Sequence, residues 1–273
     1  MSIIREYRIP LPITVDEYHI AQLYSVAEAS KNETGGGDGV EVVKNEPYTD
    51  DPEHGGSGQY TYKLMHLENK VPGWLKKVAP KGALTLEEEA WNAFPYCKTV
   101  YTNKGYMKEN FRIEIISWHK EERVSKTDNS NKHHTLTESE LAKRTVDFID
   151  IVNDPVSSTD YKVEEDPTKF KSTKTGRGPL SGADWYSSCE PYMCCYKLYK
   201  VEFKWRLIQS AVQSLILKAV RRLLLNFHRQ VFCWLDKWHG LSIEDIRAIE
   251  EKTKHELDHQ RAHGEQRGMN ERN

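Results

Sequence analysis

Residues 196–205 alternate two kinds of side chain with period two, and a long helical pattern follows directly. Lys197, Tyr199, Val201, Phe203 and Trp205 fall on one face of a strand, while Lys200, Glu202 and Lys204 fall on the other. The apolar majority marks the first face as inward. From Leu207/Ile208 onward, apolar residues recur at Ala211/Val212, Leu215/Ile216, Val220, Leu223/Leu224, Phe227, Val231 and Leu235. This spacing predicts one helix held to Trp238, roughly 30 residues and about 45 Å long at 1.5 Å per residue. Lys218, Arg221, Arg222 and Arg229 cluster on its other side, which reads as the solvated face of a core helix. A half-buried strand feeding such a helix has to be covered by it, so the fold class is α+β.

The rest of the chain supplies more strands and three more helices. Residues 7–11 read as a short strand ending at Pro12, and Thr14 with Glu17 forms a capping box for a helix toward Lys31. Glycines 35–37 and 39 break that helix. Residues 40–44 and 59–67 then form a hairpin around a polar tip at 50–58. Thr85 is expected to cap a short helix ending at Trp91 and Asn92; strands follow at 96–101, 111–118 and 145–152. Residues 119–139 read as a polar surface excursion, with His133 and His134 solvated. Ser242, with Asp245 three residues on, opens a last helix over about 242–260, and 261–273 read as a flexible tail. Neither a repeat nor a shift in composition divides the chain, so residues 1–273 form a single domain.

Lys plus Arg, 39, nearly balances Asp plus Glu, 41, so no global field favours nucleic acid. Five cysteines without a paired framework suit a reducing compartment. The N-terminus has no apolar h-region, and the apolar-rich run at 207–217 is too short to span a bilayer. These features predict a soluble cytoplasmic protein. The glycines at 35–39 lack dinucleotide-loop spacing, Thr175-Gly176-Arg177-Gly178 lacks a phosphate-loop pattern, and adjacent Cys194 and Cys195 do not make a zinc pair. No catalytic motif, metal site or cofactor is therefore expected.

Polar residues recur on faces that should be buried. The last helix has its apolar stripe at Ile243, Ile246, Thr253 and Leu257, and Glu250 completes it. Either the helix rolls toward Ile249 and leaves Glu250 half-solvated, or Glu250 points into a cavity that needs an acceptor. Lys197 poses the same question on its strand. Thr61 and Lys63 align with Met65 and Leu67; Cys97 and Thr99 align with Tyr101; Ser117 joins Phe111, Ile113 and Ile115. Gln22 lies on the seam of Val15, Tyr18 and Ala29. Each alone is usually a hydrogen-bonded core residue. Together they would furnish a mostly apolar cavity with an anion-binding end and a polyol-binding end.

Several blocks of sequence resemble the class I phosphatidylinositol transfer proteins: residues 23–37, Glu46-Pro47-Tyr48, residues 90–97, residues 174–180 and residues 226–238. The resemblance runs nearly end to end. It implies a START-like helix-grip fold, a curved and mostly antiparallel sheet with long helices enclosing a lipid cavity. The implied function is exchange of one phosphatidylinositol or phosphatidylcholine between membranes by a monomer, with the phospholipid as cargo and no cofactor. It implies that Thr61, Lys63, Asn92 and Glu250 hold the inositol phosphate head, with Thr99, Ser117, Gln22 and Lys197 as further contacts. Ser117 stands where the family has Thr and keeps the hydroxyl. Cys97 and Phe227 match positions tied to phosphatidylcholine binding and thiol sensitivity. Ser172, flanked by Lys169, Lys171 and Lys174, matches a kinase-modified serine; otherwise this basic loop is simply exposed. The family's membrane-docking Trp-Trp is here Trp205-Arg206. Docking therefore leans on the lipid-exchange loop at 71–78, with Trp74, Lys76 and Lys77, beside Trp205. The alternatives are a membrane-binding scaffold and a helix-grip enzyme acting on an apolar ligand.

Overall fold

The computed structural model describes residues 2–80, 82–205 and 207–268. Eight strands form one sheet: β1 (Ile3–Leu11), β2 (Gly39–Asp51), β3 (Gly56–His66), β4 (Thr85–Ala93), β5 (Tyr96–Thr102), β6 (Phe111–Lys120), β7 (Arg144–Phe148) and β8 (Met193–Phe203). Their order is β2-β3-β4-β5-β6-β8-β1-β7, antiparallel except where β1 meets β7. Three longer helices close over the inner face: α1 (Val15–Glu33), α5 (Gln209–Cys233) and α7 (Ile243–His263). Four short ones, α2 (Gly73–Val78), α3 (Glu138–Leu141), α4 (Trp185–Ser188) and α6 (Leu235–Trp238), lie in connections. The expected α+β class and the antiparallel sheet are borne out. Both expected capping boxes, Thr14 with Glu17 and Ser242 with Asp245, are formed.

Several local expectations are corrected. Residues 85–93 are strand β4, not a helix. Three consecutive glutamates favour helix locally, but pairing with β3 on one side and β5 on the other overrides that propensity. The long helix stops at Cys233, and Leu235–Trp238 form a separate turn. The break is held by the Trp238 indole, whose Nε1 donates to the Val231 carbonyl at 2.8 Å. The basic face of α5 is not simply solvated. Arg221 pairs with Asp147 and Asp154, Arg222 pairs with Asp160, and Arg229 is buried, donating to the Ile151 carbonyl at 2.8 Å. Only Lys218 of that group is exposed. The acidic stretch after β7 wraps this helix and supplies its counter-charges. At the C-terminus α7 runs to His263, and residues 264–268 lie against the loop after α1. There the Gly36 N–H donates to the Gly264 carbonyl at 2.9 Å, and Lys70 Nζ donates to the Arg267 carbonyl at 3.1 Å. Residues 269–273 of the expected tail lie outside the described residues.

The polar excursion is anchored rather than loose. Glu6, Arg8 and Arg144 form a buried ion triad under it. Arg8 also donates to the carbonyls of Asp128 and Ser130, and Arg144 to that of Asn129. A buried triad of this kind persists only because every charge is paired and hydrogen-bonded. The same packing buries His134, which was expected to be solvated, to 6 % exposure with neither ring nitrogen paired. His133 sits edge-on to Tyr196 and pairs with Glu122 at 3.0 Å.

Three histidines are thus held neutral. Burial pushes His134 down to about 4 and His228 to about 3, and holds His119 well below its usual value. A depressed imidazole leaves the unfolded chain binding more protons than the folded one below its ordinary value of 6.5. Its stabilising effect is complete above pH 6.5 and is lost as pH falls toward the folded value. The loss is about 1.4 kcal/mol per pH unit for each group in that window. The thermal unfolding midpoint should therefore drop between pH 6.5 and 5, before carboxylates titrate; a flat profile across that range would contradict neutral burial.

Candidate functional site

Cross-strand register sorts the inward side chains into rows. One row runs Gln59–Asn92–Cys97–Ser117–Lys197 across β3, β4, β5, β6 and β8. The next runs Thr61–Ala90–Thr99–Ile115–Tyr199, and the third Lys63–Glu88–Tyr101–Ile113–Val201. Beyond these, Met65 pairs with Leu86, and Phe111 with Phe203. Paired residues point to the same face, so the inner surface grades from polar at one end to apolar at the other.

Two adjoining chambers lie between this surface and the helices. The polar one, about 330 Å³, is lined by Gln22, Thr61, Lys63, Asn92, Cys97, Thr99, Ser117, Lys197, Phe227 and Glu250. The apolar one, about 400 Å³, is lined by Leu86, Phe111, Ile113 and Phe203 of the sheet, by residues 71, 72 and 75 of the loop around α2, and by Leu215, Ile216 and Val220 of α5. Val40, Met65, Tyr101, Ile115 and Tyr199 line both, so the two share a boundary. Such a cavity suits a molecule with one charged, hydroxyl-rich end and a long apolar remainder.

The polar groups are held by named partners. Glu250, with its side chain 17 % exposed, accepts from Asn45 Nδ2 at 3.0 Å and from Arg247 at 2.6 Å. Asn45 Oδ1 in turn accepts from Gln59 at 2.7 Å. Both readings of Glu250 therefore meet: it faces the cavity, and it is paired rather than bare. Lys63 pairs with Glu88 at 3.0 Å, and the Tyr101 hydroxyl donates to the same carboxylate at 2.5 Å. The Cys97 thiol donates to Asn92 Oδ1 at 3.0 Å and accepts from Gln22 at 3.8 Å. Burial pushes that thiol up to about 11, against the pull of Lys197. Lys197 itself has no hydrogen-bond or ion-pair partner among the described residues. Its charge nonetheless adds to burial in depressing His119 and His228.

Ten residues singled out in the sequence thus meet in one chamber: Gln22, Thr61, Lys63, Asn92, Cys97, Thr99, Ser117, Lys197, Phe227 and Glu250. Trp74, Lys76, Lys77 and Trp205 belong to the other end. Trp74 is 38 % exposed on α2, with both lysines exposed and Leu75 turned inward. Trp205 lines the apolar chamber against the Phe203 and Tyr106 rings, and Leu207 beside it is 97 % exposed at φ 81°. Arg206 lies outside the described residues. Ser172 stands apart from both ends; the basic loop around it is exposed at Lys169, Lys171 and Lys174, but the serine itself is buried. It is 2 % exposed, donating to Asp236 at 2.5 Å and accepting from the Thr175 N–H at 2.9 Å. Modification there requires the 172–175 turn to leave Asp236.

Sequence reasoning missed Glu88, Arg247, Asn45 and the inward placement of Gln59. Glu88 carries no local signal: Leu86, Glu88, Ala90 and Asn92 on one face and Glu87, Glu89 and Trp91 on the other are both mixed in polarity, so the alternation of a strand does not show. Among the described residues no group of three or more His, Cys, Asp or Glu could hold a metal, and no helix is long and apolar enough to cross a membrane.

A family model described as "Phosphatidylinositol transfer protein" matches residues 2–255. The chain belongs to this family. It is 48 % identical to the human phosphatidylinositol transfer protein beta isoform, covering 98 % of each chain. It is 49 % identical to phosphatidylinositol transfer protein 1 of Dictyostelium discoideum, covering 93 % of this chain and 94 % of that one. Human membrane-associated phosphatidylinositol transfer protein 2 is 47 % identical over 92 % of this chain, which matches 18 % of that longer protein. Family membership accords with a cavity that is polar at one end and apolar at the other.

The burial of Cys97 faces the chamber rather than the outside. Thiol-reactive reagents at pH 8 should label the half-buried Cys189 before Cys97, and Cys194, Cys195 and Cys233 only on unfolding. Peptide-resolved mass spectrometry reads the order. Cys97 labelling as fast as Cys189 would contradict the burial that raises its thiol pKa.

Proposed function

We propose that the chain binds one phospholipid, phosphatidylinositol or phosphatidylcholine, with its head in the polar chamber and its acyl chains in the apolar one, and exchanges it between membranes. One observation carries this reading: a chamber lined by the polar cross-strand rows adjoins an apolar one, and five residues line both. Lys197 supplies the unpaired cation for the phosphodiester common to both lipids. Thr61, Asn92, Thr99 and Ser117 offer donors and acceptors for hydroxyls that choline lacks.

The need for a carrier follows from the cargo. Releasing about 30 acyl methylenes into water costs about 25 kcal/mol, at about 0.8 kcal/mol each. Exchange at a bilayer swaps one dry environment for another. The exposed Trp74, Lys76, Lys77 and Leu207 around the apolar end suit contact with such an interface. In this reading α7 acts as part of the lid, because lifting it withdraws Glu250 from the head group.

Mass spectrometry of the natively purified protein should find one intact phospholipid per chain. A chain free of lipid that still binds vesicles would favour a scaffold, and recovery of a chemically altered lipid would favour an enzyme. Lys63→Ala and Glu250→Ala should each lower phosphatidylinositol transfer at least tenfold while changing phosphatidylcholine transfer less than threefold, a difference of about 0.7 kcal/mol or more in head-group recognition. Parallel loss of both activities would instead indicate a folding defect, checked by the unfolding midpoint.

A further inference from the structure

Arg247 is not on the apolar stripe of α7, yet it stands in the wall of the polar chamber. Five charged side chains line that chamber: Lys63, Lys197, Arg247, Glu88 and Glu250. Both carboxylates are already engaged, Glu88 by Lys63 at 3.0 Å and Glu250 by Arg247 at 2.6 Å. Lys197 alone carries a charge without a protein counter-ion among the described residues. The chamber therefore presents one net positive charge, which a phosphodiester monoanion neutralises. Whatever is esterified to that phosphate meets two ion pairs rather than two free carboxylates.

This matters for the choice of head group. A quaternary ammonium cannot donate a conventional hydrogen bond; it is held by free carboxylates or aromatic faces. Beside Glu250 it would also face the Arg247 guanidinium, so the attraction of one is offset by the repulsion of the other. A neutral polyol has no such conflict. Its hydroxyls can accept from Arg247 and donate to Glu250, and Asn45 with Gln59 continues the same line of donors and acceptors.

We propose that Arg247 is a specificity-determining residue: by pairing with Glu250 it turns the α7 side of the polar chamber against cationic head groups and toward polyols. The inference rests on the lipid-carrier reading above and adds the element that repels the competing lipid. The contact joins one guanidinium nitrogen to one carboxylate oxygen, so a lysine can replace the cation, and a glutamine keeps a donor while removing the charge.

The test loads wild type, Arg247→Gln, Arg247→Lys, Glu250→Gln and the double variant Arg247→Gln/Glu250→Gln from vesicles of equimolar phosphatidylinositol and phosphatidylcholine. The bound lipids are then counted by mass spectrometry. R247Q should shift the bound ratio toward phosphatidylcholine at least fivefold, while R247K holds the wild-type ratio within twofold. Glu250→Gln by itself lowers phosphatidylinositol binding, so the double variant is compared with it: adding Arg247→Gln there should move the ratio less than twofold, because the freed carboxylate is what attracts the choline. The proposal is overturned if R247Q keeps the wild-type ratio, or if R247Q and R247K shift it alike. It is equally overturned if Arg247→Gln shifts the ratio as far in the Glu250→Gln background as it does in wild type. A wild type that takes up neither lipid sinks the carrier reading itself. A wild type that takes up both, with a ratio indifferent to Arg247, sinks only this inference.

Discussion

The antiparallel register from β3 through β8 is the constraint on which the rest depends. It places Asn92 beside Cys97, Cys97 beside Ser117 and Ser117 beside Lys197, so that residues up to 105 positions apart become one polar row. A slip of one residue in any strand would send its polar members to the outer face and break the row. The inner surface then has two ends of opposite character, and the helices have only to cover it.

The covering elements are tied down by charge as much as by apolar contact. Arg177 forks onto Glu17 at 2.8 and 2.9 Å, joining α1 to the 172–180 loop, and Asp236 holds the Ser172 turn against α6. Across the far side of α5, aspartates from the 147–166 stretch claim its arginines. Around the apolar chamber the ties run through the chain between β3 and α2. Lys70 joins Glu33 to the chain after α7, and Lys76 reaches Asn69. A structure that must part somewhere to admit a lipid is expected to part where its contacts are fewest and best solvated. The segment carrying Trp74 and the end of α7 fit that description.

Much of this was legible in the sequence, for a physical reason. Period-two alternation at 196–205 and 111–118 and the capping boxes at Thr14 and Ser242 are local signals, and local signals survive without tertiary context. The same holds for the polar residues on buried stripes, because Glu250, Lys197 and Ser117 each break a local pattern. Glu88 stayed hidden because three glutamates in a row read as helix and no local rule reveals two flanking strands. His134 and the arginines of α5 were misplaced for a related reason: whether a polar group is solvated depends on what the rest of the chain lays over it.

The sequence by itself determined which faces are buried, where the main helices begin, and which polar residues sit on the wrong side of an apolar stripe, since these follow from periodicity along the backbone. Only the tertiary structure decided who faces whom. It paired Glu250 with Arg247 and Asn45, gave Glu88 to Lys63, left Lys197 without a counter-ion among the described residues, and buried Ser172 against Asp236. The electrostatic state of a cavity is a property of distances between its charges, and a linear sequence does not contain those distances until strand register and helix docking fix them.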